Sequence, residues 1–76
     1  MEEVLVFLKE TLPTVDFADG KNLVSKGILD SLAIISIVMA ITEKYGVSVD
    51  VEDISVENFD SVEKIAEMIE RKKSNA

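Results

Sequence analysis

The chain of 76 residues carries fifteen Asp and Glu against eight Lys and Arg, a formal net charge of -7, with no Cys and no His. A domain of this size hides only about 60% of its unfolded surface and has no room for a deep enzyme cleft; without Cys or His it also lacks disulfides, thiolate ligands and a base that titrates near neutrality. The acidic balance repels phosphate backbones and anionic membranes, which excludes nucleic acid as a partner and favours basic protein surfaces.

Residues 2–12 set Val4, Leu5, Leu8 and Leu12 at spacings of three or four, which predicts a first helix with one apolar face, ended by Pro13. The apolar run 4–8 is cut by Lys9 and Glu10, too short for a signal segment or a membrane span, so a cytoplasmic protein with no membrane insertion is expected. Residues 14–30 hold Asp19-Gly20 and Gly27 and follow neither period; they read as a long loop anchored by Phe17, Leu23, Ile28 and Leu29. A second helix is predicted over 31–45, stopped by Gly46. Residues 47–55 alternate apolar and polar, but a lone strand has nothing to pair with, so they are expected to form an extended connector to a short helical turn at 56–59. The last helix is predicted over 61–72, burying Val62, Ile65, Ala66 and Ile69 and pairing Glu67 with Arg71 on its outer face, with 72–76 as a frayed tail. The expected fold is therefore one all-α domain over residues 1–76, a monomeric four-helix bundle of three longer helices and one short one.

Two Asp-Ser pairs punctuate the chain. Asp60-Ser61 is followed by Glu63, three residues beyond Asp60, a variant of the capping box that assigns the pair to closing a helix start. Asp30-Ser31 has Ala33 and Ile34 at the equivalent places, so no reciprocal box forms and either residue is free to cap. The acidic run Asp50, Glu52, Asp53, Glu57 and Asp60 lacks the glycine that a calcium loop needs at its sixth position, where Ser55 stands, and no metal site is expected.

The sequence Gly27-Ile28-Leu29-Asp30-Ser31-Leu32, set between a long loop and an apolar helix, resembles the Gly-x-x-Asp-Ser-Leu attachment motif of acyl carrier proteins. The resemblance runs over nearly the whole chain, through the apolar helix ending in an aromatic and Gly to the closing stretch "ISVENFDSVEKIAEMI". It implies that the Ser31 hydroxyl accepts 4'-phosphopantetheine from coenzyme A through a separate phosphopantetheinyl transferase. Asp30 would help that transferase hold its metal ion and coenzyme A, and Leu32 completes the motif. The chain itself would have no catalytic residues. Its other partners would be an adenylate-forming acyl ligase or acyl-transferring synthase enzymes.

Nine of the ten residues from 32 to 41 are apolar, so the second helix is apolar almost all the way round. Helical spacing is read as sending Leu32, Ile35, Val38 and Ile41 into the core, with Ile37 at its margin, and leaving Ala33, Ile34, Met39 and Ala40 outside beside Ser31 as a docking patch. Fatty-acid-synthesis carriers typically have acidic residues where this chain has Ala33 and Ser36, and the apolar helix looks more like carriers loaded by adenylate-forming ligases, including peptidyl and D-alanyl carriers. The alternative is an unmodified helical adaptor that binds one partner through the same helix, with Ser31 only capping.

Overall fold

The structure, a computed structural model, describes residues 2–17 and 20–74. Every regular element among these is helical: α1 (Glu2–Thr11), α2 (Ser31–Tyr45), a 3₁₀ turn (Val51–Asp53), α3 (Val56–Phe59) and α4 (Val62–Ser74). The four-helix fold is thus as expected. Helix α1 packs on α2 and α4, and the short α3 packs on α4. Its end follows from Pro13, which has no N–H to continue the ladder, and the Thr11 hydroxyl turns back to the Phe7 carbonyl at 2.8 Å. Val4 and Leu8 are buried and Leu5 and Leu12 half-buried, as their spacing predicts; Phe7, outside that pattern, is buried too and meets Tyr45 edge-on at 5.5 Å.

The loop between α1 and α2 is anchored by Phe17, Leu23 and Leu29, each 2% exposed or less, with Ile28 half-buried beside them. Asp19 of the expected Asp19-Gly20 turn lies outside the described residues. Phe59, at the end of α3, is wholly enclosed with Leu8, Ile65 and Met68, and truncating a buried aromatic of this kind costs about 3–5 kcal/mol. Helix α4 buries Val62, Ile65, Ala66 and Ile69 as predicted and Met68 as well.

Helix α4 continues to Ser74, beyond the expected end at Lys72. Lys72 is held there by ion pairs to Asp53 and, at 3.3 Å, to Asp50, which tie the 3₁₀ turn to the last helix. The hydrogen bond from Lys72 holds the Asp53 carboxyl below its ordinary pKa, and Asp53 raises that of Lys72 in turn. Asn75 and Ala76, the rest of the expected tail, lie outside the described residues. The predicted partners Glu67 and Arg71 go elsewhere: Glu67 lies 3.9 Å from Lys64, and Arg71 donates to the Asn58 side chain at 3.1 Å.

Helix α2 has the predicted bounds and the predicted stop, with Gly46 in the left-handed region at φ 68° and its N–H on the Thr42 carbonyl. Its rotation about its axis differs from the expected one. Ile37 and Ile41 are the buried centre, both at 0% exposure, while Leu32 and Ile35, expected inside, are 74% and 50% exposed. Met39 is outside as expected at 66%, but Ala33, Ile34 and Ala40 are half-buried against the core, as is Val38. The physical reason is that an almost uniformly apolar helix has little apolar asymmetry, so its few polar residues set the outward side. Ser31, Ser36, Thr42 and Glu43 share one arc at 100° per residue, and Ile37 and Ile41 lie opposite it; Lys44, in the last turn, falls outside the arc. At its far end the Tyr45 hydroxyl is buried without a hydrogen-bond partner among the described residues, and burial, with the charge of Glu3, pushes its pKa up.

Candidate functional site

The start of α2 is built by its neighbours on both sides. Leu29 is buried and its N–H bonds to the Leu23 carbonyl at 2.8 Å, which fixes the last loop residue before the pair. Asp30 follows in extended geometry, φ -97° and ψ -176°, as an N-cap must, and its carboxylate accepts the Ala33 N–H at 2.8 Å. Asp30 therefore caps and Ser31 does not. Ser31 is the first helical residue, exposed, and its hydroxyl has no hydrogen-bond partner among the described residues. The first N–H groups of the helix and the positive end of its dipole lie beside that hydroxyl, with no acidic side chain in the first turn. An anion joined to the Ser31 oxygen would be stabilised there.

At the second pair the duties are exchanged. Ser61 accepts the Lys64 N–H at 3.0 Å and caps α4, whereas the box expected between Asp60 and Glu63 is not what closes this helix. Asp60 ends α3 in helical geometry, φ -76° and ψ -12°, which denies it the extended conformation of an N-cap. Its carboxylate turns across the molecule and accepts the N–H groups of Val24 at 3.0 Å and Ser25 at 2.9 Å together with the Ser25 hydroxyl. The Ser25 N–H is the main cause that holds the Asp60 carboxyl below its ordinary pKa.

Downstream of Ser31, Leu32, Ile35 and Met39 form an exposed apolar stripe on one side of α2. Of the residues expected to make a docking patch, Met39 lies on this stripe, and Ala33, Ile34 and Ala40 flank it from half-buried positions. Leu32, expected as part of the attachment motif, and Ile35 are exposed here and not in the core where helical spacing sends them. Asp60 was missed because its partners lie 35 and 36 residues away in the chain.

The acidic run does not gather into a cage. Asp50 and Asp53 face Lys72, Asp60 faces the loop, and among the described residues no group of three Asp or Glu is placed to hold a metal ion. No described helix is long and apolar enough to cross a membrane. The arrangement offers an accessible hydroxyl at the start of a helix, next to the capping Asp30 carboxylate. A family profile described as the phosphopantetheine attachment site matches residues 3–69. Searches of curated proteins and of solved structures found no match.

Proposed function

The chain belongs to the phosphopantetheine attachment family, and from that premise we propose that Ser31 bears the arm and that the protein passes acyl or aminoacyl groups between enzymes. It is a carrier domain, the site of covalent 4'-phosphopantetheine attachment. The observation that carries the assignment to Ser31 is its unpaired, exposed hydroxyl at the first turn of α2, set against a Ser61 hydroxyl already engaged as a cap. Asp30 fits the site as the cap that keeps Ser31 first in the helix, and its outward carboxylate is in reach of a transferase. When attached, the arm supplies a thiol on which cargo rides as a thioester.

Docking of the loading enzyme is assigned to the exposed stripe of Leu32, Ile35 and Met39, flanked by Ala33, Ile34 and Ala40. Apolar groups of this kind beside the modified residue let a partner grip the helix while it receives the arm, and Met adapts to more than one surface. The absence of acidic residues at Ala33 and Ser36 favours an adenylate-forming ligase over fatty acid synthase enzymes as that partner. The acidic, cysteine-free composition fits work in the cytoplasm.

The test is to incubate the apo protein with coenzyme A, magnesium and a broad-specificity transferase and to weigh it intact. The wild type gains one arm and Ser31→Ala gains none. An unchanged wild-type mass would leave the adaptor that docks through α2 without modification.

A further inference from the structure

The Asp60 carboxylate is tied to none of the tasks so far derived. It neither caps α4, since Ser61 does, nor pairs with a cation as Asp50 and Asp53 do. What it binds is the loop that leads to Ser31. Together with its own carbonyl, which accepts the Leu23 N–H at 2.7 Å, Asp60 takes three successive N–H groups, those of Leu23, Val24 and Ser25, and the Ser25 hydroxyl at 3.0–3.1 Å. Next to it the Val62 N–H bonds to the Gly20 carbonyl at 2.9 Å, and Gly20 lies so close that a Cβ there would stand 3.2 Å from Val62 Cγ2. The α3–α4 joint thus grips residues 20–25 by their backbone.

The grip is transmitted to the attachment residue in few steps. The Leu23 carbonyl accepts the Leu29 N–H at 2.8 Å, and turns from Lys26 to Asn22 and from Gly27 to Val24 close the intervening chain. Leu29 is covalently next to Asp30, the cap that makes Ser31 the first helical residue. Leu23 and Leu29 are buried and Val24 and Ile28 half-buried, but Ser25, Lys26 and Gly27 between them are exposed. There the backbone is held by hydrogen bonds, those of Val24 and Ser25 to Asp60 among them.

We propose that Asp60 is a positioning residue for the modification of Ser31, holding the loop over residues 23–29 in the one conformation from which the start of α2 is offered to the transferase. This deepens the carrier reading and rests on it. Without the clamp the four helices keep their core, but only a fraction of molecules present Ser31 correctly. A fractionally populated competent state divides the apparent affinity by that fraction and leaves the chemical step, which belongs to the transferase, unchanged.

The experiment is steady-state loading of the full chain by the transferase with coenzyme A and magnesium at varied carrier concentration, comparing wild type with Asp60→Ala, Asp60→Asn and Ile65→Val. Asp60→Ala is expected to raise KM about tenfold with kcat within about twofold of wild type. Asp60→Asn, whose amide oxygen still accepts the two N–H groups but without charge, is expected to raise KM only about threefold. Ile65→Val, which loosens the core of α4 away from the clamp, should melt lower yet keep the wild-type KM. In parallel, amide exchange at Leu29 should be faster in Asp60→Ala than in Ile65→Val. A wild-type KM in Asp60→Ala, or an equal rise in Ile65→Val, overturns the proposal. If Asp60→Ala does not melt cooperatively, Asp60→Asn decides on the same criterion. A wild type that takes no arm at all overturns the carrier reading itself, and that failure shows before any variant is compared.

Discussion

The dipeptide Asp-Ser occurs twice before a helix, and the two copies do opposite work. At residues 30–31 the aspartate caps and the serine hydroxyl has no partner among the described residues; at 60–61 the serine caps and the aspartate reaches away to the loop. The difference is a shift of one residue in where the helix begins. Before the first pair comes a loop of turns and bends with no helix to continue, and Asp30 takes extended N-cap geometry, whereas before the second comes α3, whose last turn draws Asp60 into helical dihedrals and passes the cap to Ser61. A motif of two residues therefore has no fixed role, and the element that precedes it assigns one.

The contrast extends along the two helices, and two methionines break it most sharply. Met68 on α4 is fully enclosed while Met39 on α2 is exposed. Met68→Glu would bury an unpaired carboxylate at a cost of several kcal/mol and should abolish cooperative melting. Met39→Glu should keep the helical circular dichroism and the melting temperature, yet raise the KM for loading by the cognate ligase about fivefold, as expected for an apolar contact worth more than about 1 kcal/mol. A Met39→Glu variant that unfolds would mean that α2 is rotated from the orientation described.

Urea unfolding of Asp30→Ala, Ser31→Ala and Ser61→Ala sharpens the comparison at a smaller scale. Loss of a capping side chain costs about 0.5–2 kcal/mol, so Asp30→Ala and Ser61→Ala should each lose that much. Ser31→Ala should stay within about 0.5 kcal/mol of wild type, as for exposed positions away from any cap. The capping loss is expected at the aspartate of one pair and the serine of the other, Asp60 acting through its loop bonds instead. Equal losses at Ser31 and Ser61 would show that both hydroxyls cap.

The smallest effect is on the acid limb. Because its folded pKa lies below the unfolded value of about 3.8, Asp60 contributes stability that is complete above that value and is lost as pH falls through the lower folded one. The stability difference between wild type and Asp60→Asn should thus be constant near neutrality and shrink below pH 3.8. A difference that grows on acidification would contradict the clamp.

What could be read in advance was local. The bounds of α2, the Gly46 stop, the α3 turn and the loop anchors Phe17, Leu23 and Leu29 all follow from signals within a few residues of themselves. The rotation of α2 was readable only from the polar arc of Ser31, Ser36, Thr42 and Glu43, because the apolar residues point everywhere. The exchange of roles at Asp60 and Ser61 depends on the turn before it and on a loop 35 residues earlier, and no local period carries that information. The continuation of α4 to Ser74 likewise accompanies ion pairs to Asp50 and Asp53, which no helical spacing on α4 itself records.

The central claim is that a free hydroxyl, and not the Asp-Ser dipeptide, marks the attachment residue. Its most direct test is to load the wild-type protein to completion, digest it, and locate the phosphopantetheine by fragmentation mass spectrometry. All of the arm should be found on the peptide that contains Ser31 and none on the peptide that contains Ser61, and the same distribution should hold in Ser61→Ala. Arm on Ser61, or on any residue when Ser31 is intact but unmodified, would contradict the account.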